Sequence, residues 1–442
     1  MKKSGLAAII ACSLLLTASS LHATAPFTFG FGPKSIAMGG AAAGLADDIS
    51  AAYYNPAGMT QCREVNIGVG FQYMKPWMKL NDRDFPIDTG EAFVLGAALP
   101  LPFGGFLKNR IFAGIAFYMP WNLILGLKVP LPSEPQYLLL ENEPRVTTIM
   151  PALAIEITSA LSVGASVNLY DDTYGAFDAT LTSENEPVLE VNQELTTTFS
   201  PTVGVHIRPG QVIAALENLT LGFVYRSAFR AKYRFSPDIF IGTVPLLIDL
   251  AATSLYNPRQ VVIGGAYRFG DRTTVTLDLS FNEWSKMPDP NLEAKFDFRI
   301  PVIPVHFSES IVYPPNFHDT FTPKVGIDFL VGRYERIDVK ARAGYWYEES
   351  PIPEQRGVTS YLDTDRHILS TGLGITVKRL FDHPLPNPIG LDVYIQYQHM
   401  VERTHHKSPE VAMAYPDYDP VKGGGDILTA GVFISSKIEL TH

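Results

Sequence analysis

The stretch TTVTLDLSFN, residues 273–282, alternates apolar and polar side chains along its whole length. One face carries Val275, Leu277, Leu279 and Phe281, and the other carries Thr274, Thr276, Asp278, Ser280 and Asn282. Because successive side chains of a β-strand point to opposite faces, this alternation predicts a strand with one apolar side. Runs of about ten residues with this pattern are typical of transmembrane β-barrels, in which one face contacts lipid and the other faces the lumen.

The same alternation recurs along the chain, for example in LDVYIQYQ (391–398) and IDVKARAGYWY (337–347). We count fourteen such strands, which begin near Val65, Glu91, Arg110, Arg145, Ala160, Thr198, Asn218, Arg259, Arg272, Phe321, Glu335, Asp365, Ile389 and Ile427. Seven long connections alternate with six shorter ones, as outer loops and periplasmic turns do. The sequence therefore predicts an all-β fold, a 14-stranded antiparallel transmembrane β-barrel.

The N-terminus predicts export. Residues 1–23 combine two lysines, an apolar core and small residues before the cleavage site, as a signal peptide does. A lipoprotein site at Cys12 is a weaker alternative, because it would leave too short an apolar region. Removing Lys2 and Lys3 changes the formal net charge from −10 to −12, which does not favour a nucleic-acid partner. Cys62 is then the single remaining cysteine, so no internal disulfide is expected.

Residues 24–63 lie between the signal peptide and the first strand, and they are rich in Gly and Ala. They include ADDISAAYYNPAGM, in which Pro56 disfavours a helical Asn55 and Gly58 permits a positive φ after Ala57. The lumen of a fourteen-stranded barrel is wider than its own side chains can fill. We therefore predict that residues 24–63 form a small helical plug, or hatch, inside a barrel of residues 64–442.

The chain resembles the FadL/TodX family of outer-membrane transporters for long-chain fatty acids and aromatic hydrocarbons. The resemblance rests on AMGGAAAGLADDISAAYYNPAGM (37–59), NEWSKM (282–287) and ARAGYWYEESPIPEQRGVTSYLDTDRHILSTGLGI (341–375), and it covers essentially the whole mature chain. It implies a bacterial outer-membrane protein that is not an enzyme and needs no cofactor. Its implied partners are a hydrophobic small molecule, outer-membrane lipid and the barrel-assembly machinery. The non-aromatic ending IELTH (438–442) departs from the family and leaves the register of the last strand open.

Prolines cluster on neighbouring strands, at Pro100, Pro102, Pro120 and Pro151. Proline cannot donate to the ladder, and a closed barrel has no edge strand to hold it. Since the third strand of the resembled family is kinked, Pro120 could mark a lateral opening toward lipid. The alternative is that Pro120 simply ends its strand. If the wall is open there, Asn55 of the plug is a candidate to meet unpaired peptide groups near Pro120.

Three cations and one loop are candidates for the substrate path. Arg226, Lys340 and Arg342 are predicted to face the lumen, where they could meet a fatty-acid carboxylate or pair with Asp278, Asp328, Asp338 and Asp392. The outer loops PLPSEPQYLLL (130–140), with Leu138, Leu139 and Leu140, and IGTVPLLIDL (241–250) would offer an apolar landing site. His405 and His406 have no third ligand in reach, so no metal site is expected.

Passive transport of a hydrophobic molecule is the leading hypothesis. A general porin for polar solutes is disfavoured by the plug and the apolar loops. An outer-membrane lipid hydrolase is disfavoured because the sequence shows no catalytic triad.

Overall fold

The computed structural model describes residues 25–121, 133–140, 147–181, 187–235, 238–241, 244–290, 293–300, 303–307, 315–380 and 383–439. Fourteen long strands form the wall of a barrel. They are β1 (Val65–Leu80), β2 (Gly90–Pro100), β3 (Ile111–Pro120), β4 (Thr148–Thr158), β5 (Leu161–Leu181), β6 (Pro187–Ile207), β7 (Leu219–Arg226), β8 (Arg259–Phe269), β9 (Thr273–Glu283), β10 (Thr320–Arg333), β11 (Ile337–Glu348), β12 (Arg366–Leu380), β13 (His383–His405) and β14 (Val421–Ile438).

Each strand pairs with the next in antiparallel fashion, and β14 pairs with β1 to close the barrel. The closing ladder runs without interruption from Val65 opposite Ile438 to Leu80 opposite Gly423. The prediction of a closed fourteen-stranded antiparallel barrel is therefore confirmed. The register of the last strand, which the ending of the sequence left open, is defined by this ladder.

Most strands begin within three residues of the predicted positions, but β6 begins eleven residues before the predicted Thr198. β5 continues to Leu181 and β6 begins at Pro187, so the two strands stay paired from Leu161 opposite Ile207 to Leu181 opposite Pro187. Similarly, β13 begins at His383 rather than near Ile389, and β14 begins at Val421 rather than near Ile427. The alternating pattern reports burial in the bilayer, so it ends where a strand extends into water on both faces.

The facing of β9 agrees with the alternation from which it was predicted. Leu277 and Leu279 are 62% and 49% exposed on the outside of the barrel, whereas Thr276 and Ser280 are each 1% exposed on the inside. Trp346 and Arg342 of β11 are also buried in the lumen, as predicted. The inside is therefore packed rather than open, and the packing partner is the N-terminal segment.

That segment contains α1 (Ala25–Phe29), α2 (Pro33–Ala37), α3 (Ala51–Tyr54) and a 3₁₀ helix over Pro56–Gln61. It packs against the inner face of the wall, where α2 contacts β11 to β14 and the 3₁₀ helix contacts β2 to β6. We call residues 25–61 the plug. The predicted signal peptide, residues 1–23, lies outside the described residues and stays a prediction.

The remaining elements belong to connections. The loops contain strands over Arg83–Phe85, Phe229–Phe235, Asp238–Ile241, Val244–Asn257, Glu293–Ile300 and Ile303–Phe307, and the helix α4 (Pro409–Ala414). Further 3₁₀ turns lie at Gly105–Leu107, Pro209–Gln211, Ala214–Leu216, Trp284–Lys286 and Pro416–Tyr418. Among the described residues, the helices are all too short or too polar to cross a membrane.

Candidate functional site

Asn55 is fully buried at the start of the 3₁₀ helix and uses both ends of its amide. Its Nδ2 donates to the carbonyl oxygens of Ala43 (2.7 Å) and Val205 (3.1 Å), and its Oδ1 accepts from the backbone N–H of Ala57 (3.1 Å). The amide thus joins two parts of the plug and ties both to β6. Pro56 supplies the first residue of the 3₁₀ helix, a position where a missing N–H costs nothing.

The turn approaches the wall at two glycines. A methyl group on Gly204 of β6 would overlap Asn55, and one on Gly164 of β5 would overlap the backbone at Pro56 and Ala57. Gly58 does not have the positive φ that its residue type permits. It is required instead by close approach, since a methyl group there would overlap the carbonyl oxygen of Ala46.

The expected meeting of Asn55 with peptide groups near Pro120 is wrong. The only wall residue to which Asn55 hydrogen-bonds, within the described part of the chain, is Val205 of β6. Pro120 is the last residue of β3 and lies opposite Ala92 of β2, with which β3 pairs continuously. Directly beyond it, the N–H of Trp121 donates to the carbonyl oxygen of Glu91 at 2.8 Å. This agrees with the alternative interpretation that Pro120 ends its strand.

The ladder is interrupted instead between β4 and β5. Ile149 pairs with Leu169 and Ala152 pairs with Ser166, but Met150 and Pro151 have no partners on β5. Asn168 of β5, beside this gap, is fully buried, and its side-chain amide finds no hydrogen-bond partner in the described portion of the structure. Pro151 explains the gap, because it lacks the N–H that the ladder requires.

The three predicted cations are all engaged by the protein. Lys340 pairs with Asp328 at 2.9 Å, and Arg342 pairs with Asp328 at 3.1 Å and also with Asp392. Arg226 donates to the carbonyl oxygen of Tyr53 at 2.6 Å and to Gln260, and its guanidinium lies 4.3 Å from the centre of the Tyr53 ring. Structural pairing is thus observed for Lys340 and Arg342, while Arg226 attaches α3 to β7.

Sequence reasoning missed Lys324 of β10. Its ammonium group lies 5.6 Å from the centre of the Trp346 ring, and it makes no ion pair or hydrogen bond to any described residue. It borders a cavity of about 30 Å³ that is also lined by Phe27, Tyr53, Arg226 and Asp278. The alternation of TFTPKVGIDF already indicated that Lys324 faces the lumen, since it shares a face with Thr322 and Asp328.

Charged groups also fix the plug. Asp278 of β9 accepts hydrogen bonds from the backbone N–H groups of Ala42 and Ala43, at 2.8 and 2.9 Å. Within the plug, Lys34 and Asp47 form a partly buried ion pair. Burial alone would lower the pKa of Lys34, but the carboxylates of Asp47, Asp48 and Asp328 together outweigh it and raise that pKa above its ordinary value. Burial opposes ionisation of Asp47 too, yet Lys34 holds the pKa of Asp47 below its usual range.

Above the plug, eight buried apolar residues and the partly buried Phe27 form a cluster that we call the aromatic chamber. Its members are Phe27, Leu138, Leu139, Tyr256, Trp284, Met287, Phe317, Ile352 and Tyr361. Trp284 is central, with ring centroids 5.9 Å from Phe27, 5.9 Å from Tyr256 and 6.3 Å from Phe317. The chamber collects residues from the plug, from the NEWSKM stretch and from the SPIP stretch.

Leu138, Leu139 and Leu140 are buried rather than exposed at the surface. Leu138 and Leu139 line the chamber, whereas Leu140 packs with Tyr137 in a second cluster that reaches the plug. The Tyr137 hydroxyl accepts from the N–H of Gly424 at 2.6 Å and donates to the carbonyl oxygen of Lys79. It thereby joins this loop to the seam between β1 and β14. The side chains of the second predicted landing loop, 241–250, lie outside the described residues.

A closed fourteen-stranded barrel whose lumen is occupied by its own N-terminal segment defines the class of plugged outer-membrane barrels. The family model described as "Outer membrane protein transport protein (OMPP1/FadL/TodX)" matches residues 28–404. The chain belongs to this family, so it is a protein of the bacterial outer membrane and a transport protein rather than an enzyme.

Similar proteins are found both by sequence and by structure. Alkane uptake protein A of Marinobacter nauticus is 24% identical over 418 residues, covering 90% of this chain and 88% of that protein. A FadL homologue of Pseudomonas aeruginosa is 14% identical with a TM-score of 0.55, covering 96% of this chain and all of the other. The toluene transporter TbuX of Ralstonia pickettii is 15% identical with a TM-score of 0.54, covering 93% of this chain and all of its own. At these identities the two structures establish the shared fold alone.

Proposed function

We propose that this protein takes up hydrophobic small molecules passively across the outer membrane, with hydrocarbons and long-chain fatty acids as the substrate class. The observation that carries the proposal is the aromatic chamber, a water-excluding apolar cluster placed over the plug. A general porin needs a polar, water-filled lumen. The names of the similar proteins, an alkane uptake protein and a toluene transporter, support the same substrate class.

In the proposed path, a substrate first occupies the aromatic chamber, beneath the loop that carries Leu138 and Leu139. Phe27 of α1 borders both the chamber and the cavity below it, so displacement of α1 would connect the two. A carboxylate that reached the lower cavity would meet Lys324, which makes no ion pair or hydrogen bond to any described residue. A hydrocarbon would use the same path without that contact.

We place the proposed exit toward lipid at the interrupted ladder between β4 and β5 rather than at Pro120. The missing pairing at Met150 and Pro151 lowers the cost of separating the two strands, since fewer backbone hydrogen bonds are broken there. Asn168 lies beside this gap. Its side chain makes no hydrogen bond to any described residue, so none of its hydrogen bonds would be broken when the two strands separate.

The test is initial-rate uptake of radiolabelled hexadecane, toluene and oleate by cells that express Leu139→Asn. A polar amide of similar size in the chamber is expected to reduce uptake of all three, because the apolar contacts are lost and the amide has no partner. The matched control is Leu380→Asn, at the exposed periplasmic end of β12. Cells that express this variant should take up hexadecane, toluene and oleate at the wild-type rate. Unchanged uptake by Leu139→Asn at normal outer-membrane abundance would contradict the proposal.

A further inference from the structure

The stretches SPIP and DTDR, which the transport path above does not use in full, frame a cleft on the outside of the barrel. The cleft has a volume of about 330 Å³ and is lined by Glu349, Thr364, Asp365, Val401, Glu402 and Arg403, among others. It lies where the loop after β11 begins and where the same loop returns to β12, with β13 on its other side. It is therefore a pocket of the extracellular rim and not part of the lumen.

The register of β11, β12 and β13 gives the position of the cleft along the membrane normal, which we call its height. Tyr347, His367 and His399 are neighbours in one row across β11, β12 and β13 on the outer face. Tyrosines on that face mark the boundary between the apolar bilayer and its head groups. Glu349 follows Tyr347 by two residues in the extracellular direction, and Asp365 and Val401 lie at the same height. The cleft thus opens at the level of the head groups of the outer leaflet.

The cleft is separated from the inside of the protein by very little. Glu349 and Thr364 also line a small inner cavity, whose other walls combine Phe27, Leu139 and Trp284 of the aromatic chamber with the charged side chains of Glu348, Asp363 and Arg366. Thr364 is 2% exposed, and its hydroxyl has no hydrogen-bond partner among the residues that the structure describes. A buried hydroxyl without a partner is costly, so its position at a cavity wall points to a polar group that comes from outside the chain.

The charges of the cleft limit what that group is. Asp365 is satisfied by the hydroxyl of Tyr347 (2.6 Å) and the N–H of Ser350 (3.0 Å), and Glu402 pairs with Lys422 at 2.9 Å. Arg403 donates to the carbonyl oxygen of Ile352 at 2.7 Å. Glu349 faces His318 at 3.6 Å. Three carboxylates against one arginine and one histidine disfavour an anionic head group, whereas hydroxyl groups can donate to the carboxylates.

We infer that the cleft binds the hydroxyl-bearing head group of an uncharged amphiphile, whose alkyl tail passes between Glu349 and Thr364 into the aromatic chamber. The inference rests on the proposed function, because the tail occupies the chamber assigned there to hydrophobic substrates. It adds a lateral way in from the outer leaflet, above the lower cavity that Lys324 borders.

The experiment measures equilibrium binding of radiolabelled dodecyl maltoside, below its micelle concentration, to the full-length protein in lipid nanodiscs. Thr364→Val keeps the shape of the side chain but removes its hydroxyl. It should reduce the affinity for dodecyl maltoside about three- to tenfold, which is the effect of losing one neutral hydrogen bond. Val401→Trp fills the cleft from the lipid side, where an aromatic residue is readily accommodated, and should weaken binding at least as much. Oleate binding should be unchanged in both variants.

Thr429→Val is the matched control, since Thr429 is also fully buried with an unpartnered hydroxyl but lies on β14, away from the cleft. It should bind dodecyl maltoside normally. The inference is overturned if the wild type does not bind dodecyl maltoside, or if Thr364→Val and Val401→Trp bind it as tightly as Thr429→Val does. Failure of the proposed function is distinguishable, because it appears as absent uptake of hexadecane, toluene and oleate by the wild type.

Discussion

At the scale of single residues, Asn55 is the polar side chain most fully used by the plug. Its one amide makes hydrogen bonds with two carbonyl oxygens and one backbone N–H. Each such group left unpaired costs about 1–3 kcal/mol, so the side chain contributes to the docking of the plug through groups on both sides of the contact. Asn168, equally buried, makes no hydrogen bond to any described residue and therefore satisfies no other group.

This contrast gives a matched pair of variants. Asn55→Ala should loosen the plug and raise both single-channel conductance and sensitivity to a large antibiotic, at normal outer-membrane abundance, because the strands hold the barrel. Asn168→Ala removes the same side chain without stranding a partner and should remain sealed. If both variants have the conductance and antibiotic resistance of the wild type, the hydrogen bonds of Asn55 do not keep the plug sealed and the residue has only a packing role.

At the scale of elements, the sequence pattern of each strand reflects the environment on its two faces, lipid outside the barrel and the lumen inside. The bilayer allows only apolar residues on one face, which is why β9 could be assigned, with its facing, from ten residues of sequence. Outside the bilayer that constraint ends, and the paired extensions of β5 and β6 beyond it gave no alternating signal.

The facing of β9 predicts unequal effects of the same substitution. Leu279→Arg places a charge near the middle of the lipid-facing surface and should cost about 2–4 kcal/mol of folding free energy. Phe269→Arg, also on an exposed residue but at the periplasmic end of β8, should cost about 0–1 kcal/mol. Urea unfolding in liposomes, followed by heat-modifiable gel mobility, compares the two. Equal costs would contradict the assigned position of Leu279 in the bilayer.

Much less of the candidate site than of the fold could be predicted from the sequence. The Asn-Pro-Ala turn was found because proline and glycine carry local backbone signals. The aromatic chamber was not, because Phe27, Leu139, Trp284 and Ile352 are distant in sequence and no local pattern links them. The partner of Asn55 was misassigned for the same reason. Contact with β6 depends on Gly204 and Gly164, whose missing side chains become meaningful only when the plug is seen against them.

At the scale of the whole molecule, the contacts fall into two sets, those within the barrel wall and those that hold the plug inside it. The wall is an antiparallel ladder that closes on itself, interrupted between β4 and β5 at Met150 and Pro151, and it uses no residue of the plug. The plug is held inside by polar attachments to several strands, among them those of Asp278, Arg226 and Asn55, together with apolar packing. The barrel should therefore survive without the plug, whereas the plug has no folded state without the barrel.

Deletion of residues 28–61 tests this division. The variant should reach the outer membrane, keep its heat-modifiable mobility and form large open channels in planar bilayers, while the wild type conducts little. The control is Asn168→Ala, which leaves the plug complete and should stay closed to ions. A wild type that conducts as freely as the deletion variant would favour the general porin and count against a sealed transporter.

The plug ends at Gln61 and β1 begins at Val65, so three residues, 62–64, connect the two. A tether of that length spans about 10 Å when fully extended, which is too short for the plug to leave through the periplasmic end. If the plug moves during transport, it pivots at this tether, so Thr60 travels least and α1 travels most. Phe27, at the far end of the plug, would then have the largest effect on the passage below the chamber. Because the tether keeps the plug in the lumen, its contacts with Asp278 and Arg226 can form again without an energy source once the lumen is empty.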